Sequence, residues 1–415
     1  MAVSATSTHA GRAAFQSPDF RLFIAARWAS VIAVEMQSVA VGWQVYEITN
    51  RNLDLGLIGL AQFLPSVLLF LVSGHVADRF DRRRVLLACY FGYALCSGLL
   101  LFIALRGSHS VNLIYGVMVL LGVVRSFTGP VTRAILPLLV PVEHFPNAVA
   151  WNANAFQSAT IIGPALGGVV YGITRGPSAV YAGAIAAALG ALLSTLRIKP
   201  RPRTGQREPI SLSTVLVGLQ YIWRQKLILG SISLDLFAVL LGGAVALLPS
   251  FARDILKMGP SGLGLLRCMP AVGAAAMSVF LAYRPLRRRA GATMLWCVAG
   301  FGASTIFFGL SRSLALSIVA LLLVGATDTV SVIVRGILIQ IATPDEMRGR
   351  VNAVDMVFIG ASNQLGQFES GATGQWFGTV PAIVIGGIGA IVVTGIWAWA
   401  FPELRNADKL IPDKH

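Results

Sequence analysis

The sequence predicts an all-α membrane protein, with twelve transmembrane helices in two pseudo-symmetric six-helix bundles. Three observations carry this expectation. First, 55% of the 415 residues are hydrophobic and only 12% are charged. Apolar runs of about twenty residues recur from end to end, each long enough to cross a ~30 Å hydrocarbon core. Second, the basic residues collect in alternate turns between those runs. Third, the two halves of the chain repeat at a shift of roughly 200 positions.

The spans fall near 21–46, 55–76, 85–106, 111–134, 147–173, 178–198, 227–251, 262–283, 291–310, 314–340, 351–376 and 379–400. Helices are the expected spanning form because hydrocarbon offers no partner to a backbone N–H or C=O. An even number of spans puts both ends of the chain on one side. With that side cytoplasmic, inner segments hold most of the 33 Lys and Arg, among them Arg79, Arg82 to Arg84, Arg284 and Arg287 to Arg289. The outer loops keep only Arg51, Arg106, Arg175, Arg253, Lys257 and Arg312. This asymmetry follows the positive-inside rule and predicts cytoplasmic N- and C-termini.

The resulting order is a cytoplasmic segment 1–20, a bundle 21–198, a basic linker 199–226, a second bundle 227–401 and a cytoplasmic tail 402–415. Within the linker, Ser213 to Gln225 reads as an amphipathic helix on the inner membrane surface, with Val217, Tyr221 and Ile222 on one side. Residues 1–19 lack an apolar core, so the first span is expected to direct insertion and remain in place.

The net charge of +15 does not point to nucleic acid, because the cations sit in membrane-flanking turns. The four cysteines, Cys89, Cys96, Cys268 and Cys297, lie inside apolar runs at spacings of neither a metal motif nor a disulfide framework. No phosphate loop, HExxH or CxxC is present. Neither enzyme, metal nor cofactor is therefore expected, and energy must come from an ion gradient.

The repeat is clearest at charged positions. Arg79 and Arg82 to Arg84 correspond to Arg284 and Arg287 to Arg289, and Arg133 corresponds to Arg335. After a one-residue gap, Asn152, Ala159 and Gly163 correspond to Asp355, Ser362 and Gly366. Between the second and third spans stands Gly74-x-x-x-Asp78-Arg79-x-x-Arg82-Arg83. It resembles the signature loop of the major facilitator superfamily, departing from it at Asp81, where a small residue is common. The resemblance implies that these residues lock the inner gate of an alternating-access transporter. In the second copy, Val279 and Tyr283 replace Gly74 and Asp78, so only the first copy keeps the glycine and the carboxylate.

The fifth span carries Gly163-Pro164-Ala165-Leu166-Gly167-Gly168, which is similar to the core of the superfamily's antiporter motif, with Ala159 in place of a usual glycine. A bend at Pro164 and close packing at the glycines are its expected roles. Ionisable residues within spans are Arg27, Arg125, Arg133, Arg267 and Arg335 against Glu35, Asp235, Asp328, Asp355 and Glu369. Each would cost roughly 2.5–3.5 kcal/mol facing lipid, so they must pair or line a cavity.

Depth along the helices at ~1.5 Å per residue sorts them. Glu35, Arg125 and Asp328 fall near the midplane, where coupling and substrate sites lie. Glu35 and Asp328 are the candidate proton carriers, with Arg125 as a positive partner. Arg27, Arg133, Asp235, Arg335 and Asp355 fall in the cytoplasmic half and read as inner-gate charges. In the eleventh span Asp355, Ser362, Gly366 and Glu369 share one helical face, which should line a cavity. Gln37, Asn154, Gln157, Asn363 and Gln364 are further candidates for a substrate cavity, together with Arg125 and Glu369. Trp28, Trp43 and Trp151 read as interfacial anchors.

The segment Thr343 to Val351 and the eleventh span that follows it resemble the superfamily branch of enterobactin-exporter-like bacterial efflux proteins. That resemblance implies export of a siderophore or another amphipathic small molecule, and the expected mode is proton-coupled antiport across the bacterial inner membrane by a chain acting as a monomer. An uptake symporter or facilitator of the same fold, or a transport-inactive sensor, are the alternatives.

Overall fold

A computed structural model describes residues 12–199 and 212–408 apart from 285, 287 and 288. All the regular elements among them are helical. In the first half these are α1 (Pro18–Thr49), α2 (Asn52–Leu68), α3 (Phe70–Arg79), α4 (Arg82–Leu105), α5 (Val111–Leu139), α6 (Phe145–Thr174) and α7 (Ser178–Leu196). The second half has α8 (Leu212–Arg224), α9 (Lys226–Leu241), α10 (Pro260–Tyr283), α11 (Ala290–Leu310), α12 (Leu314–Ala342), α13 (Asp345–Phe377) and α14 (Thr379–Ala400).

Ten helical stretches among the described residues are long and apolar enough to cross a membrane. Two of the expected spans depart from that rule for separate reasons. The second is divided at Leu69 into α2 and α3, just beyond Pro65, whose carbonyl accepts from the Leu69 N–H at 2.9 Å. The eleventh, α13, is a continuous helix of 33 residues but too polar to qualify by apolarity. The expected seventh span is also segmented, since after α9 the chain continues through the 3₁₀ turn Ala244–Leu247 and the π turn Phe251–Ile255.

Contacts divide the chain into two compact units, one of Met1–Val41 with Leu64–Ile210 and one of Gly42–Phe63 with Ser211–His415. In the first unit α4 packs on α5 and on α7, and α3 packs on α5. In the second, α11 packs on α12 and α14, and α10 packs on α12. The same three pairings thus recur, which is the pseudo-symmetry that the sequence repeat predicts.

The short stretch 42–63 joins the second unit through α13. The Asn52 amide donates to the Gly374 carbonyl at 3.0 Å and to the Thr379 hydroxyl at 3.1 Å. A Cβ on Gly371 would lie 2.6 Å from the Gly56 Cα, so the two helices cross backbone to backbone. At the other end of this stretch Tyr46 donates to Asp254, and Arg253 reaches the Asn50 side-chain oxygen at 2.9 Å.

The linker residues 200–211 lie outside the described set. After them, α8 turns Gly218 onto the Arg350 carbonyl and donates from the Tyr221 hydroxyl to the Ala342 carbonyl at 3.3 Å. Ile222 is buried in a cluster with Ile228, Ile232, Ile339, Val351 and Val354. The apolar side read from the sequence is therefore divided: Ile222 faces protein, while Leu216, Val217 and Trp223 are exposed.

In the first unit α6 runs unbroken through Pro164, and its glycines meet α1. A Cβ on Gly163 would lie 2.6 Å from the Glu35 Cβ, and one on Gly167 would lie 2.8 Å from the Met36 carbonyl oxygen. Only a residue without a side chain permits that approach. Gly167→Val should therefore lower the thermal unfolding midpoint of the purified protein, at a cost of about 1–3 kcal/mol from overpacking. Gly190→Ala, whose added carbon meets nothing within 4 Å, should leave it unchanged or slightly higher.

Candidate functional site

The first unit contains a cavity of about 200 Å³ lined by Arg27, Ser30, Val31, Val34 and Glu35 of α1, Tyr93 of α4, Arg125, Thr128 and Gly129 of α5, and Phe156 of α6. Arg27 and Glu35 are eight residues apart on one helix, a rise of about 12 Å. Sequence depth therefore separated them, but a long guanidinium side chain covers much of that distance. The Arg27 guanidinium carbon lies 5.1 Å from the centre of the Phe156 ring. Its Nε is buried and meets no hydrogen-bond acceptor among the described residues. The Tyr93 hydroxyl donates to the Thr128 hydroxyl at 2.9 Å, which in turn donates to the Val124 carbonyl at 2.9 Å.

Tyr93, Thr128, Ser30 and Phe156 were missed by sequence reasoning, although Arg125 and Thr128 stand three apart and share a helix face. Arg133, one further turn and a half along α5, is exposed and close enough to Arg27 for the two charges to repel.

In the second unit Arg335 of α12 is 3% exposed and donates from Nη1 to Asp235 of α9, itself 5% exposed. Its Nε lies 3.8 Å from Asp355 Oδ1 of α13. Asp328 stands two turns before Arg335 on the same helix, within the electrostatic reach of both Arg335 and Asp235. Among the described residues no ion pair or hydrogen bond engages its carboxyl. The charges read as an inner gate lie in both units: Asp235, Arg335 and Asp355 form one cluster in the second, and Arg27 belongs to the cavity of the first, with Arg133 close by.

The signature loop is held by its charges. Asp81, the departure from the usual small residue, caps α4, its carboxylate accepting from the Arg83 N–H at 2.9 Å. Arg83 then donates from Nε to the Thr195 carbonyl at 3.2 Å and from Nη2 to the Leu196 carbonyl at 2.6 Å. These acceptors are carbonyls of the last turn of α7, where a cation also meets the negative end of the helix dipole. Gly74 is buried, Arg79 is exposed, and Arg82 Nε is buried without a hydrogen-bond partner among the described residues. The side chain of Asp78, and Arg287 and Arg288 of the second copy, lie outside the described residues.

The remaining candidates disperse. Gln37 accepts from the Ser97 hydroxyl at 2.6 Å and ties α1 to α4 rather than lining the cavity. Asn154 is exposed and Gln157 half-buried on α6. Asn363 donates back to the Ile359 carbonyl at 2.9 Å, and the neighbouring Gln364 has a buried carbonyl oxygen with no partner among the described residues. Glu369 accepts from Ser370 at 3.4 Å. Trp28 donates to the Ser158 hydroxyl at 3.2 Å, although 39% of its surface is exposed.

Repeated six-helix units with ionisable groups inside their spans define a secondary transporter of the major facilitator fold. Solved transporters of this fold align along nearly their whole length. The nucleoside transporter NupG matches with a TM-score of 0.70 at 15% identity, over 92% of this chain and 99% of its own. A POT family transporter in complex with 5-aminolevulinic acid matches with a TM-score of 0.70 at 12% identity, over 94% and 97%. Among characterised sequences, the enterobactin exporter EntS of Escherichia coli (strain K12) is 26% identical over 398 residues, covering 94% of this chain and 93% of that protein. The exporter of Shigella boydii serotype 18 matches to the same extent. The chain belongs to the family described as transmembrane secretion effectors, whose model matches residues 9–415, and is thus a multi-pass membrane transporter of the major facilitator superfamily.

Arg335 neutralises two carboxylates that share its surroundings. Arg335→Ala should destabilise the protein by about 3–5 kcal/mol, because it strands those charges in the interior. The paired change Asp235→Asn with Arg335→Gln should cost clearly less. Unfolding midpoints of the single and double variants measure the difference.

Proposed function

We propose that the chain is a proton-coupled exporter of a small amphipathic molecule such as a siderophore, seated in a bacterial inner membrane with both termini cytoplasmic. The observation that carries this reading is likeness along nearly the full chain to enterobactin exporters, within a family described by secretion. The asymmetry of basic turns supports the orientation.

Among the intramembrane acids, Asp328 is the stronger candidate for the coupling group. Arg335 holds Asp235 and Asp355 as ion pairs, so their charge is engaged in binding helices together. Asp328 has no such pair and can change its protonation without breaking one. Protonation from outside would then bias which side of the transporter is open, because the neutral and charged forms favour different packings of α12 against α9 and α13. The Cβ of Glu35 packs directly against Gly163, where α1 meets α6. Gly74, Asp78, Arg79, Arg82 and Arg83 act at the inner gate in this scheme, with Arg83 anchoring α4 to the end of α7.

Inside-out vesicles with an acid-inside gradient test the reading. Enterobactin and a panel of amphipathic dyes are the substrates, and accumulation that an uncoupler abolishes is the expected result. Asp328→Asn should abolish gradient-driven accumulation while leaving expression intact, and Asp78→Asn should slow turnover. Uptake by right-side-out cells that survives both substitutions would overturn the export assignment in favour of a facilitator.

A further inference from the structure

The intramembrane charges are segregated between the units. Around the first unit's cavity stand Arg27, Arg125 and, in the field of Arg27, Arg133, with Glu35 as the one acid of the lining. Around Arg335 in the second unit stand three acids, Asp235, Asp328 and Asp355. The lining of the first cavity thus carries two guanidiniums, Arg27 and Arg125, and one carboxylate, Glu35. Beside the cavity lies a buried donor, Arg27 Nε, that meets no acceptor among the described residues. Leaving such a donor unsatisfied is costly. An aromatic face stands beside it, because Phe156 is 43% exposed and lies under the guanidinium.

We propose that this cavity is an anion subsite of the transported molecule. The charged group of an amphipathic organic anion sits against Arg27 and Arg125, and its flat apolar body lies along Phe156. The inference rests on the transporter reading above and narrows its substrate class. A carboxylate, phenolate or sulfonate supplies the acceptor that Arg27 Nε lacks, and the pair of guanidiniums favours groups with two or three oxygens. The Tyr93 and Thr128 hydroxyls add neutral partners at the wall.

Glu35 takes an unusual place in this arrangement. It shares the lining with the arginines and opposes the ligand's charge, so it weakens anion binding when ionised. A cation site would need the same carboxylate as its main attraction. The effect of neutralising Glu35 therefore has opposite signs for the two ligand classes. It also separates labour between the units, with ligand charge recognised in the first and proton exchange at Asp328 in the second.

The test is equilibrium dialysis of the full chain in nanodiscs of phosphatidylcholine, with two probes of matched shape, 2-naphthoate and 2-naphthylmethylammonium. Wild-type protein should bind the anion at least about tenfold more tightly, the scale of one or two charge-assisted hydrogen bonds. Arg27→Gln should weaken naphthoate by about tenfold, and Arg27→Lys by less. Glu35→Gln should strengthen naphthoate by about threefold or more, a gain that a misfolded variant cannot produce.

Preference for the cation, equal binding of the two probes, or weaker naphthoate binding in Glu35→Gln would each overturn the proposal. Displacement of naphthoate by soluble dihexanoylphosphatidylglycerol at lower concentration than by naphthoate itself would instead assign the cavity to a lipid headgroup, and would also overturn it. Proton-driven transport in vesicles with no anion preference sinks only this inference. Charge-selective binding without transport sinks only the reading on which it rests.

Discussion

An ion in hydrocarbon needs a counter-ion or water, and that constraint organises both halves of this molecule. Arg335 shows the first solution. It is buried at the junction of α9, α12 and α13, and each of the other two helices offers it a carboxylate. The pairing dictates which faces of three helices turn inward, since any rotation of α9 or α13 would leave a charge stranded. Arg27 shows the second solution, an apolar helix opening on a small polar cavity with an aromatic ring covering the cation. Packing of the apolar residues then follows from helix faces already fixed by charge.

Glycine supplies the complementary constraint. Between helices in lipid there is little hydrophobic gain, so attraction depends on close backbone approach. The contact of Gly163 and Gly167 with Glu35 and Met36 brings α6 against α1 at a crossing with no slack. The antiporter-like motif acts here as a contact surface on a helix that passes Pro164 without a break.

Much of this was legible in the sequence because lipid leaves so few solutions. The helical class, the repeat and the need for charged groups to pair follow from apolar length and from the cost of burying ions. Partner choice was less legible. Arg27 and Arg133 fell at the same depth as Arg335, and a one-dimensional pattern does not say which of the charges on one level meet. The divided second span gave a signal in Pro65, but a proline alone does not say whether a helix bends or breaks. Asp81 looked like a defect in a motif and is a helix cap, which a carboxylate two residues before Arg83 can suggest only once the start of α4 is known. The cavity wall of Ser30, Tyr93, Thr128 and Phe156 was invisible because it draws on four helices distant in sequence.

The polarity of α13 has a consequence for how the protein is made. A helix carrying Asp355, Asn363, Gln364, Gln367 and Glu369 partitions poorly into lipid as a lone segment leaving the translocation channel. Its successor α14 is apolar and begins directly after Gly378, whose φ of +88° turns the chain between them. The pair can enter as a hairpin, with the polar face received by α9 rather than by lipid.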